Sequence, residues 1–114
     1  MKPIAVLTTA GSLDEARTIA RRVVERNLAA CAQISEIESF YHWSGAVQND
    51  KEYRILFKTT DEMYGAVERS IRELHSYELP GIFSFAVDEA YVPYADWIVQ
   101  HSTGRPHTPG GNVN

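Results

Sequence analysis

Between Ala29 and Trp43 the chain carries no glycine or proline, and it then meets Ser44-Gly45. Such a run, with Ile34, Ile37, Phe40 and Tyr41 spaced along it, suits one long extended strand closed by a turn. From Val47 the chain returns through Tyr53, Ile55, Leu56 and Phe57 to Thr59, which makes the two halves a hairpin. A second strand of about 14 residues spans roughly 45 Å, whereas a preceding helix of about 16 residues spans only ~24 Å. The hairpin therefore reaches past its helices, and its distal end holds Phe40, Tyr41, Trp43, Val47 and Tyr53. A soluble chain rarely leaves such a patch bare, so hairpins are expected to associate into a closed homo-oligomer. The alternative is a bend near Ser35-Glu36 that folds the strand back on itself.

The remaining segments supply the cover. Ile4 to Thr8 reads as a first strand that stops at Ala10-Gly11. Ser12-Leu13-Asp14-Glu15 matches a capping box, in which the serine hydroxyl accepts a backbone N–H and the glutamate reaches back to the cap's own amide. Leu13, Ala16, Ala20, Val23, Val24 and Leu28 follow at steps of three and four, opposite Arg17, Arg21, Arg22, Glu25 and Arg26, with Asn27 as the stop. Thr60-Asp61-Glu62 opens a second helix whose stripe is Met63, Val67, Ile71 and Leu74. Pro80 and Gly81 make the segment from His75 a connecting loop. Ile82 to Val87 is a fourth strand, and Val92-Pro93-Tyr94 leads into a short helix with Tyr94, Trp97 and Ile98 on one face. The order β-α-β-β-α-β with a short C-terminal helix is the ferredoxin-like α+β sandwich, its first and third strands central. Residues 1–101 are read as a single domain. Residues 102–114, rich in Gly, Pro, Thr and Asn, are read as a disordered tail.

Composition narrows the function. A chain of 114 residues, 44% hydrophobic and 23% charged, is ordinary for one globular core. Its 11 Lys plus Arg against 15 Asp plus Glu leave a net charge of −4, the wrong sign for a phosphate backbone, so nucleic acid is not an expected partner. No apolar stretch approaches the ~20 residues of a membrane span, and the run after Lys2 is too short for a secretory leader. With Cys31 as the single cysteine no intrachain disulfide forms, which suits a reducing compartment, and the expected location is the cytoplasm.

Leu28-Ala29-Ala30-Cys31-Ala32, Ser39-Phe40-Tyr41-His42-Trp43-Ser44-Gly45, Leu56-Phe57-Lys58-Thr59-Thr60, His75-Ser76-Tyr77-Glu78-Leu79-Pro80 and Tyr94-Ala95-Asp96-Trp97 are five motifs that run along nearly the whole folded part. Together they resemble one family, the CutA divalent-cation-tolerance proteins. The resemblance implies a ferredoxin-like homotrimer similar in architecture to PII signalling proteins, with clefts between subunits and a role in metal tolerance, usually copper. Two departures stand out: Ser76 replaces the family's usual proline, and Gly81 replaces an acidic residue.

Cys31, His42, His75, Glu78 and His101 are the possible metal donors, because thiolate and imidazole suit copper; no pair has diagnostic spacing, and the resemblance is what favours His75 and Glu78, which lie three residues apart, so that Cys31, His75 and Glu78 are the candidates. Each also has a plainer reading: Cys31 as a buried thiol, His75 and Glu78 as loop-ordering hydrogen-bond partners. Trp43, Lys58 and Tyr77 are candidates for a ligand cleft, or else for interface packing and an ion pair. No Gly-rich phosphate cradle and no Ser/His/Asp set is present, so no catalytic residue is named and no enzyme is expected. The resulting expectation is a copper or other divalent-cation tolerance protein that binds metal without turnover and needs no organic cofactor. The alternative is a PII-like sensor that takes a small anionic metabolite near Lys58, Tyr77 and Glu78.

Overall fold

A computed structural model describes residues 1–106. Its elements are β1 (Pro3–Ala10), α1 (Leu13–Glu25), β2 (Cys31–Trp43), β3 (Ala46–Thr60), a 3-10 turn at Asp61–Met63, α2 (Tyr64–Leu74), β4 (Ile82–Ala86) and α3 (Val92–Gln100). All strands join one antiparallel sheet in the order β2-β3-β1-β4, so β1 and β3 are central and the ferredoxin-like reading holds.

Strand alternation divides the sheet into two faces. Ile4, Val6, Ile55 and Phe57 point into the core against Ala16, Ile19, Ala20 and Val23 of α1 and Val67 and Ile71 of α2. Phe57 is fully buried there. Ile19, between Ala16 and Val23, belongs to the same α1 stripe although the sequence pattern above passes it over, and Val24 of that pattern is only partly buried. On β4, Phe83 and Phe85 alternate with Ile82, which packs on the core, and they emerge on the opposite face 58% and 52% exposed.

The β2–β3 ladder is unbroken from Cys31↔Lys58 to Trp43↔Ala46. Ser35 and Glu36 sit in register opposite Arg54 and Tyr53, so the strand does not fold back. β1 accompanies β3 only from Thr60 to Tyr53. Beyond that point the hairpin projects with no central strand beside it, and the molecule measures 55 × 31 × 22 Å.

The ends of α1 follow local chemistry, with one exception. Ser12 Oγ accepts the Glu15 amide at 3.1 Å, as a capping serine does. The Glu15 carboxylate, however, does not turn back to Ser12, because it is held by Ser76. At the other end of α1, Asn27 takes φ +59°, and the amides of Asn27 and Leu28 donate to the carbonyls of Val24 and Val23. That is the Schellman geometry for which asparagine is the usual substitute for glycine.

The segment after α3 departs from the expectation of disorder. Ser102 is buried, the Gly104 amide donates to the Asn27 carbonyl at 2.7 Å, and the Asn27 amide group donates to the Arg105 carbonyl. The left-handed helix stop thus doubles as a clasp for 102–105, an interaction invisible to composition. The rest of the expected tail, residues 107–114, lies outside the described residues.

Candidate functional site

The loop between α2 and β4 crosses the end of β1, and its residues are fixed one by one. His75 Nε2 lies 2.6 Å from the Thr9 carbonyl. A carbonyl only accepts, so Nε2 carries the proton, and Nδ1 is left to accept the Tyr77 amide at 3.1 Å. The ring is fully enclosed, and Glu15 stands 3.4 Å from Nδ1. Glu15 in turn accepts the Ser76 amide at 2.7 Å and the Ser76 hydroxyl at 2.8 Å. A proline at that position has no N–H and no hydroxyl to give, so this clamp belongs to Ser76 itself.

Held this way, Tyr77 passes over Gly11, where a Cβ atom would meet the phenol oxygen at 3.0 Å. Its hydroxyl donates to Glu52 Oε2 at 2.8 Å. Glu52 lies on the projecting part of β3 and is only 7% exposed. Burial, and then the bond to Glu52, raise the Tyr77 phenol well above its ordinary range.

Between this loop and the hairpin opens a cleft of about 810 Å³. Phe40, Tyr41, His42 and Trp43 form its hairpin wall, and Tyr77, Glu78 and Leu79 form the loop wall. The charged side chains that line it are Glu38, Glu52 and Glu78, with no lysine or arginine among the described residues. Glu38 accepts the Asn49 amide group at 3.2 Å. Tyr41 donates to Asp50, and that bond raises its phenol. Arg69 and Arg72 line a separate groove on the far side of Tyr77 and Glu78.

The candidate residues sort into two places. Trp43, Tyr77 and Glu78 share the cleft. His75 orders the loop behind it, with both ring nitrogens engaged. Cys31 and Lys58 face each other at the opposite end of the β2–β3 ladder. Lys58 pairs with Ala5 and Arg54 pairs with Thr9, so four residues, roughly 13 Å of strand, separate that end from the His75 contact. There Lys58 Nζ donates to the Tyr94 hydroxyl at 2.8 Å, which raises the lysine's pKa, and Trp97 and Cys31 line a second cavity with Arg17 and Arg21. Cys31, His75 and Glu78 therefore do not converge, and Lys58 stands away from Trp43 and Tyr77. Sequence reasoning missed Glu15, which reads as a capping residue, and Glu52, whose burial is imposed by a tyrosine from another element.

Comparison with known proteins agrees with this architecture. The family model of the CutA1 divalent ion tolerance protein matches residues 4–101. The chain belongs to the CutA1 family. A divalent-cation tolerance protein CutA from Thermotoga maritima is 37% identical over 95 residues, covering 83% of this chain and 94% of the relative. Among solved structures, the periplasmic divalent cation tolerance protein CutA from Archaeoglobus fulgidus superposes with a TM-score of 0.86 at 33% identity, covering 88% of this chain and 98% of the other. The divalent cation tolerance protein from Thermus thermophilus gives 0.84 at 36% identity with the same coverage. The CutA1 match includes the hairpin, the loop from His75 and α3, so the cleft belongs to the shared part of the chain.

Proposed function

We propose that this CutA1 protein binds divalent cations, Cu(II) foremost, as a homotrimer and without turnover, in the cytoplasm. The observation that carries the cation reading is the charge of the cleft: its ionised groups are carboxylates, and His42 adds an imidazole donor. Glu78 is the sequence-predicted donor that fits best, since its exposed carboxylate lines the cleft. Among the described residues no three His, Cys, Asp or Glu side chains stand close enough to hold one ion. The coordination is accordingly weak in one chain, and donors from a neighbouring subunit complete it. The same charge disfavours an anionic metabolite, and Lys58, the cation that reading relied on, is engaged by Tyr94.

Calorimetric titration of the chain with Cu(II), with His107 changed to Ala to remove a competing ligand, tests the proposal. Saturable binding that weakens in Glu78→Ala and His42→Ala and survives Cys31→Ser is the expected result. Absence of saturable binding, or binding abolished by Cys31→Ser alone, overturns it. Fractionation of cells decides the compartment, since the Archaeoglobus fulgidus relative is named periplasmic.

A further inference from the structure

Alternation along the ladders divides the open face of the sheet, the one away from α1 and α2, into two halves. Tyr41, Trp43, Asp50 and Glu52 lie on it in the projecting hairpin, while Glu38 and Phe40 point to the other face. Arg54, Lys58, Phe83 and Phe85 lie on it where β1 backs the sheet. The halves carry opposite charge: among the strand residues of this face, the hairpin half holds the carboxylates and the sheet half holds the cations. Two of the four are engaged within the chain, Glu52 by Tyr77 and Lys58 by Tyr94. Asp50 bonds Tyr41 through one carboxylate oxygen, which leaves the other to take a partner. Arg54 has no ion-pair partner among the described residues. The two stand four residues apart on one strand, about 13 Å, too far to meet each other.

Each half also bears exposed aromatic surface, Tyr41 and Trp43 on one and Phe83 and Phe85 on the other. Strand rise and spacing put Trp43 about 14 Å from Asp50, and put Phe83 about 12 Å and Phe85 about 17 Å from Arg54. The two halves therefore match in the separation of their anchors as well as in charge. β2 and β4 are the outer strands, so the aromatic pairs sit at opposite borders of one face. A patch that fits a different patch on an identical molecule joins copies head to tail, and a suitable rotation closes them into a ring. We infer that the hairpin half of one subunit lies across the sheet half of the next, with Tyr41 and Trp43 against the neighbouring subunit's Phe83 and Phe85 and an ion pair between Asp50 and the neighbouring subunit's Arg54. This rests on the homotrimer proposed above and adds to it which surfaces meet.

The test is light scattering of the full chain over a dilution series, in a urea concentration that holds the unaltered assembly half dissociated. Arg54→Glu, Asp50→Arg and the two combined are measured beside it. Both residues are exposed, so the core is left intact. Each single exchange sets like charges against each other at every contact and is expected to raise the dissociation concentration at least tenfold. The combined exchange restores opposite charges between subunits and is expected to return to within about threefold of the unaltered chain. That rescue has no route within one chain, because the two residues are too far apart there. Trp43→Ala and Phe83→Ala are each expected to weaken assembly, and together by less than the product of their separate effects, as members of one contact do. A trimer indifferent to both single exchanges, or a combined exchange no tighter than the weaker single one, overturns the inference and leaves the homotrimer standing. A chain that is monomeric without urea overturns both.

Discussion

Tyr77 and Glu52 show how one hydroxyl sets the behaviour of a site. A carboxylate 7% exposed is tolerated because the phenol donates to it, and replacing Tyr77 by Phe leaves the charge buried without that donor. Tyr77→Phe is expected to cost about 1–3 kcal/mol at pH 7, measured by urea unfolding. The pH dependence has a definite sign. The folded phenol pKa is raised above its unfolded value near 10, so the stability linked to it is fully present below about pH 10 and is lost as pH rises through the folded value. The Tyr77→Phe variant therefore loses less stability than the unaltered chain between pH 9 and 11, in the same assay. A steeper loss in the variant would contradict the assignment. Glu15 offers a second test at this scale: Glu15→Ala frees the Ser76 amide, and hydrogen exchange at Ser76 and Tyr77 is expected to accelerate while α2 is unaffected. Unchanged exchange there means the loop is held by His75 alone. The sequence shows His75, Tyr77 and Glu78 as a group worth attention, since they cluster before a Pro-Gly break. What each does depends on partners that are far away along the chain, Thr9, Glu15 and Glu52, and no local pattern encodes those.

At the level of elements, local chemistry was a good guide wherever a segment's own residues decide its shape. The hairpin follows from a Gly- and Pro-free run and its turn, α1 from its apolar stripe, and the helix stop from Asn27. Burying Phe57 between the sheet and the helices is the strongest single expression of that pattern, and Phe57→Ala is expected to cost about 3–5 kcal/mol in chemical unfolding. Local chemistry misled where an interaction between elements outweighs it. Composition marks Ser102–Pro106 as a tail, yet Asn27 draws Gly104 and Arg105 onto the α1–β2 junction. Gly104 has φ +68°, and a Cβ there would lie 3.2 Å from the Met63 sulfur. Gly104→Ala is thus expected to lower stability by about 1–2 kcal/mol, read as an earlier thermal transition. An unshifted transition would show that the clasp carries no stability.

For the molecule as a whole, the length mismatch between hairpin and helices is the feature that matters most. It was readable from residue counts alone, because strands and helices rise by different distances per residue. It leaves Phe40 68% exposed on the hairpin, while Phe83 and Phe85 lie bare on the open face of the sheet. Light scattering is expected to give three times the mass of the chain, and a monomer at micromolar concentration would refute the trimer. The number three itself came from family resemblance, since exposed apolar area asks for a partner without counting subunits. Sheet order carries one more consequence, for synthesis on the ribosome. β1 precedes both of the strands that flank it, β3 and β4, and its β4 partners Ile82–Ala86 follow β3 only after the whole of α2. The nascent chain therefore presents Ile4–Leu7 with both strand edges open until β3 is made and with the β4 edge open until Ile82–Ala86 follow, and this interval is when it is most exposed to mispairing with a neighbouring chain.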